Sequence, residues 1–249
     1  MRVLFVAASA ERAAAILDPI GERLRAEGIS WSLSTDPDAD ISPEFRVVYL
    51  LSYDRVIRPE ILARVDGRVV VFHSSDLPSG RGWAPIYYSM LSGDRVHTIS
   101  MCYAAEPVDS GNILAKARIP ILANYTAPML RAAGQRMIGQ MIVRYTARFA
   151  GAKPPGTPQR GPGSYRKRRM PDDAVVDAHK PLLELMPHIL ASEEPNLAVI
   201  EYRGQRFRIQ AAPENREISA DFTIDEMFEA PEALLDPVDL NGAARPGPA

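Results

Sequence analysis

Val69-Val70-Val71-Phe72-His73-Ser74-Ser75-Asp76-Leu77-Pro78-Ser79-Gly80-Arg81-Gly82 joins an unbroken apolar run to a turn-rich stretch, with one histidine at the junction. The apolar residues are mostly β-branched and do not alternate with polar ones, so they predict a strand covered on both faces. Such a strand belongs in a largely parallel sheet with helices on each side. Ligands of open sheets of this kind gather at the carboxyl ends of strands, where His73 stands. Val108-Asp109-Ser110-Gly111 closes the block and places a carboxylate at a second strand end. A histidine beside a carboxylate is a common device for moving protons near neutral pH.

The flanking chain extends the same pattern. Arg2 to Ala8 reads as a buried first strand, and Glu11 to Gly28 as one amphipathic helix with Ala15, Ile16 and Leu24 inward and Gly28 at its stop. After Pro37 to Pro43, Phe45 to Leu51 reads as a strand, Pro59 to Val65 as a helix and Val69 to Phe72 as the next strand. A helix around Ile86 to Leu91 and a strand from Val96 to Tyr103 follow. The longest helix is expected from Asn124 to Ala150, where Met129, Ala133, Met137, Met141, Tyr145 and Phe149 share one face and Gly151 supplies a stop. The fold class is therefore α/β: an open, mostly parallel twisted sheet with helices on both faces, filling residues 1–151. Residues 152–163 are rich in Pro and Gly and read as a linker. Residues 164–212 read as a small α+β appendage, with a helix near Lys180 to Ser192 and a hairpin of Ala198 to Tyr202 and Arg206 to Gln210 turning at Arg203-Gly204. From Pro213 onward the chain is acidic and poor in periodic apolar positions, which predicts a disordered tail holding at most a short helix at Ile224 to Phe228.

Composition removes several classes of function. The 249 residues are 46% hydrophobic and 24% charged, as in an ordinary globular protein, and the net charge of −2 lacks the positive field of a dedicated nucleic-acid binder. No apolar run approaches the roughly 20 residues of a membrane span. The apolar start behind Arg2 is too short for a secretory signal, so a cytoplasmic protein is expected. The single Cys102 rules out an intrachain disulfide and any multi-thiolate metal site, and no metal is expected. Strand one is followed by Ala8-Ser9-Ala10-Glu11, without the glycines of a dinucleotide fingerprint. Phosphate-binding P-loop, zinc-protease and serine-hydrolase motifs are also absent from the sequence.

The central block resembles the formyltransferase family that uses 10-formyltetrahydrofolate, whose members act on glycinamide ribonucleotide, methionyl-tRNA or amino sugars. Against the family pattern Asn-x-His-Pro-Ser-Leu-Leu-Pro, Arg-Gly, Ala-Pro-Ile, Gly-Asp and Val-Asp-Thr-Gly stand Val71 to Pro78, with Val71 for the Asn and Asp76 for an apolar residue, then Arg81-Gly82, Ala84-Pro85-Ile86, Gly93-Asp94 and Val108 to Gly111. Ser52 to Ile57 is similar to the segment whose backbone lines the folate pocket. Tyr165 to Asp173 and Asp177 to Lys180 are similar to stretches of the tRNA and amino-sugar branches. The resemblance implies a Rossmann-like formyltransferase domain with 10-formyltetrahydrofolate as co-substrate. It assigns catalysis to His73 and Asp109, and the folate pocket to Arg55, Val56, Ile57 and Pro107. Formyl transfer needs a donor for the developing oxyanion and a route for the amine's proton, roles that suit His73 and Asp109.

One departure bears on the chemistry. Val71 stands where the family has Asn and offers no hydrogen bond to an oxyanion, a loss typically worth about 10²–10³ in rate. Ser74 and Ser75 are the nearest hydroxyls, and Ser75 is taken as the third catalytic residue. Asp76, Arg81 and Trp83 are assigned to the acceptor, a small molecule that fits a nucleotide-linked amino sugar. Trp83, Tyr87 and Tyr88 could stack a sugar or base, and the Arg166 to Arg169 cluster could meet a diphosphate. The short appendage and acidic tail disfavour tRNA, whose formyltransferases resemble this chain but carry a longer C-terminal barrel domain. A methionyl-tRNA formyltransferase-like enzyme and a catalytically weak folate- or sugar-binding homologue are the alternatives. The hairpin at Arg203-Gly204 offers an edge that a homodimer partner could cover.

Overall fold

The computed structural model describes residues 1–214 and the backbone of Phe228–Glu229. Strands β1 (Arg2–Ala7), β2 (Ser30–Ser34), β3 (Val47–Leu51) and β4 (Val69–His73) are parallel and ordered β2-β1-β3-β4. The two-residue strand β5 (Arg81–Gly82) follows β4 outside this sheet. Strands β6 (Val96–Tyr103) and β7 (Ile113–Pro120) then extend the sheet antiparallel beyond β4, with His73 opposite Ser100 and Val71 opposite Cys102. The sheet is mostly parallel, as its apolar runs imply.

Both faces are covered. Along β1, Val3, Phe5 and Ala7 join one core cluster while Leu4 and Val6 join another. The first cluster packs under α1 (Ala10–Leu17) and the long α6 (Ala127–Thr146), whose Met137 and Met141 are buried together with Tyr145 and Phe149. The second lies under α4 (Pro59–Ala63), through Ile61. The methionine stripe packs into this core.

Several expectations change. The single helix expected from Glu11 to Gly28 is two, α1 and α2 (Gly21–Ala26), parted at Asp18-Pro19-Ile20. Pro19 has no N–H to continue the ladder and its ring crowds the preceding turn. Strands β2 and β7 were not anticipated; β2 alternates serine with Trp31 and Leu33 at the sheet's edge, where one face stays exposed. Two short helices, α3 (Pro37–Asp40) and α5 (Pro85–Leu91), complete the domain.

Residues 152–163 do not behave as a free tether. Thr157 and Ile113 exchange two backbone hydrogen bonds of 2.8 Å, and the Tyr103 hydroxyl donates to the Pro154 carbonyl at 2.6 Å. Prolines deny this segment regular structure, yet the β6–β7 hairpin holds it at Thr157 and Pro154. Next, β8 (Tyr165–Arg166) pairs with β5, where a side chain on Gly82 would lie 2.6 Å from the Arg166 carbonyl. The appendage has its own small core of Val176, Ile189 and Ala198, built from α7 (Leu182–Ala191) and the hairpin β9 (Ala198–Tyr202) and β10 (Gln205–Ile209). The short helix expected at Ile224 to Phe228 lies almost wholly outside the described residues, and so does the disorder expected for most of the tail. Phe228–Glu229 forms strand β11, paired antiparallel with β7. Among the described residues no helix is long and apolar enough to cross a membrane.

Candidate active site

His73 ends β4, and Asp109 sits in the loop between β6 and β7. The antiparallel pairing of β4 with β6 turns that loop back to the carboxyl end of β4. His73 Nδ1 lies 3.5 Å from Asp109 Oδ1, and both side chains are largely shielded from solvent. On the far side of the ring, Nε2 donates to the Gly80 carbonyl at 3.0 Å. Both nitrogens thus face acceptors, an arrangement that the doubly protonated imidazolium satisfies in full. The other carboxylate oxygen of Asp109 accepts from the Gly82 N–H at 3.3 Å. Asp109 adopts a left-handed backbone (φ 60°), strained for a residue with a side chain. The loop is held tightly: a Cβ on Gly111 would fall 1.8 Å from the Tyr103 carbonyl oxygen.

His73 and Asp109 line a cavity of about 170 Å³ with Tyr53, Arg55, Val56, Ile57, Val71 and Val108. Three of the residues expected in the folate pocket therefore stand together there. Val56 and Val108 are both highly exposed, apolar surfaces that a flat heteroaromatic ring would cover. Arg55 lies over the Tyr53 ring at 5.2 Å and donates to the Thr35 carbonyl. Pro107 is not among the lining residues; its carbonyl accepts from the Ser110 N–H at 3.2 Å and so shapes the Asp109 turn. Val71 faces this cavity and also packs against Leu77, Cys102 and Ile113.

Ser74 borders two further cavities, of about 500 and 390 Å³. The larger is polar and includes Ser75, Asp76, Ser79, Asp94, His97 and Arg166. The Ser75 hydroxyl donates to the Ser79 carbonyl at 2.7 Å, so here it organises the turn, whereas the Ser74 hydroxyl has no partner among the described residues. Asp76 is ion-paired with Lys116. Arg81 turns away from the cavities and donates to Gln159 Oε1 at 2.5 Å. Trp83 lies in the third cavity, partly exposed, with the Arg168 guanidinium over its ring at 4.9 Å. Arg169 lies over Tyr87 at 3.7 Å and Arg166 over Tyr88 at 5.1 Å, a ladder of three cations on three rings. The Arg169 Nε and Nη2 atoms are buried without a hydrogen-bond partner.

Two other groups are set aside by their surroundings. Burial, with Asp109 adding, pushes the Cys102 thiol up to about 12, which makes it a packing residue and not a nucleophile. Burial pushes His97 down to about 4, so at neutral pH it is an uncharged wall of the larger cavity. No group of three or more His, Cys, Asp or Glu side chains among the described residues is placed to hold a metal ion.

Gln159 escaped the sequence reading. Its amide nitrogen donates to the carbonyls of Asp109 and Gly111 at 2.9 and 2.8 Å. Its position in a Pro/Gly-rich stretch gave no local signal of a role, and the pairing of this stretch with the β6–β7 hairpin, at Thr157–Ile113 and Gly156–Asn112, brings it to the site.

Residues 38–146 match the family model described as formyl transferase, a span that takes in His73, Val71 and Asp109. This segment belongs to the formyl transferase family, and the chain carries a formyl transferase domain. Methionyl-tRNA formyltransferase from Clostridium thermocellum has the same fold, with a TM-score of 0.69 at 19% identity over 93% of this chain and 97% of that one. A sugar N-formyltransferase from a Shewanella species gives 0.69 at 15% identity, over 87% and 99%. The formyltransferase PseJ from Anoxybacillus kamchatkensis, solved with UDP-4,6-dideoxy-4-formamido-L-AltNAc and tetrahydrofolate, gives 0.52 at 20% identity, over 68% and 86%. At these identities the likeness is one of fold. The first match also corrects the argument from length, because nearly all of a tRNA-directed enzyme is covered and chain length does not separate the acceptors.

Proposed function

We propose that this chain is an N-formyltransferase that moves a formyl group from 10-formyltetrahydrofolate to a primary amine on a nucleotide-linked amino sugar. The observation that carries the reading is the His73–Asp109 pair on the wall of an apolar-mouthed cavity, with Ser74 bordering two more cavities alongside. Arg55, Val56, Ile57 and Val108 fit a folate ring, and the folate would supply the formyl carbon there. His73 would turn its Nε2–H from the Gly80 carbonyl to the negative charge developing on the formyl oxygen. Asp109 orients that ring, and through water it takes the proton the amine sheds as its bond to carbon forms. The bond from the formyl carbon to the folate nitrogen breaks in exchange, and that nitrogen leaves with the proton taken from the amine, returned by Asp109 through the same water.

The acceptor reading rests on the cation–aromatic ladder. Arg168 and Arg169 form no ion pair among the described residues, so their charge is free for a phosphate, and Trp83 offers a stacking face beside them. Likeness to an amino-sugar enzyme crystallised with a UDP-sugar agrees with this choice. An RNA acceptor is the second reading, favoured by the extended likeness to the Clostridium thermocellum enzyme. The test is release of tetrahydrofolate from 10-formyltetrahydrofolate with dTDP-, UDP- and GDP-linked amino sugars and with methionyl-tRNA, using His73→Ala as control. Release that requires an amino sugar and vanishes in the variant supports the reading. Folate binding without release on any acceptor supports a binding homologue instead, with Val71 as the cause.

A further inference from the structure

Asp109 is held at its carboxylate and at its carbonyl by one closed circuit of hydrogen bonds. Gly82 N–H donates to Asp109 Oδ2, the Asp109 carbonyl accepts from Gln159 Nε2, and Gln159 Oε1 accepts from Arg81, the residue bonded to Gly82. The second N–H of the same amide goes to the Gly111 carbonyl, so Gln159 straddles the left-handed turn that presents the carboxylate. The segment carrying Gln159 is anchored without it, by the Thr157–Ile113 pair and by the Asn112 side chain on the Gly156 carbonyl. Gln159 is therefore used for what its amide does at Asp109, not for holding its own segment down.

We propose that Gln159 is a positioning residue for formyl transfer, setting the Asp109 carboxylate against the His73 imidazole. The inference rests on the His73–Asp109 reading of the site. A main-chain tilt at residue 109 would move the carboxylate off the ring, and a misplacement near 1 Å can cost about 10²-fold. Arg81 serves the same end by orienting the Gln159 amide, which fixes which end faces the two carbonyls.

The test is Gln159→Met, which keeps the length and removes the amide, alone and in an Asp109→Asn background. Alone it is expected to lower kcat by about 10- to 10²-fold while KM for 10-formyltetrahydrofolate and the affinity for tetrahydrofolate change by less than about twofold. In the Asp109→Asn background it is expected to cost less than about twofold, because the carboxylate it positions is already gone. An unchanged kcat, or an equal loss in both backgrounds, would overturn the proposal. If Asp109→Asn by itself spares turnover, the reading beneath it fails instead. The side-chain ¹⁵N signals of His73, assigned by their loss in His73→Ala, give a readout free of any acceptor. They are expected to shift in Gln159→Met, and unmoved signals would also overturn it.

Discussion

Asp109→Asn is the sharpest test of the catalytic pair. With Oδ2 tied to the Gly82 N–H, the asparagine oxygen takes that place and its NH₂ faces His73 Nδ1, 3.5 Å away. The ring then accepts at Nδ1 and donates at Nε2 to the Gly80 carbonyl, which fixes it as a neutral imidazole with no proton to offer at Nδ1. Two unit charges 3.5 Å apart interact by about 5 kcal/mol at an effective dielectric of about 20. Not all of that is differential between ground and transition states, so a loss of about 3–4 kcal/mol, or about 10²–10³ in kcat, is expected. The assay is tetrahydrofolate release at saturating donor and acceptor, with tetrahydrofolate affinity measured separately to show an intact pocket. A variant within about threefold of wild type, where His73→Ala is dead, would refute the reasoning that Asp109 acts through the ring's charge.

Ser74→Ala is expected to lower kcat by about tenfold, and Ser75→Ala by less than about threefold with a stability loss of about 1 kcal/mol, since only Ser75 is bound into its turn; steady-state kinetics with urea melts separates the two. Replacing Arg168 and Arg169 with Met is expected to raise the acceptor KM about tenfold or more and leave the folate KM alone, and inorganic pyrophosphate should compete only against the wild type. His97 has a folded-state value pushed below its unfolded one, so the unfolded chain binds more protons between about 6.5 and about 4 and stability is lost as pH falls through that window. His97→Gln should remove about 2 kcal/mol of the difference in unfolding free energy between pH 7 and pH 4.5, read from urea curves at both. Gly111→Ala should destabilise the chain strongly because its Cβ would meet the Tyr103 backbone, and it should unfold at lower urea than wild type.

Much of the architecture was written locally. The non-alternating runs of β1, β3 and β4 require cover on both faces, and the paired clusters on either side of β1 are that cover. Two further strands carry a local signal of their own: the alternation of Ala115, Ala117 and Ile119 with Lys116 and Arg118 is a period-two pattern for β7, and Ser30 to Ser34 has the same period at β2. Pro19 likewise marked the break between α1 and α2.

By itself the sequence determined the doubly covered sheet, the placement of His73 at a strand end, and the segment from Arg55 to Ile57 that shares its cavity, whereas Asp109, expected at a strand end, lies in the loop between β6 and β7. Those features depend on periodicity and motif, which are properties of neighbouring residues. Only the tertiary structure decided which polar side chains are free to act. Ser75 is spent on the Ser79 carbonyl and Arg81 on Gln159, while Gln159 reaches Asp109 across 50 positions of sequence. A side chain's chemistry is set by the partners that compete for its hydrogen bonds, and for these residues the deciding partners come from a stretch whose prolines and glycines carry no periodic signal of their own.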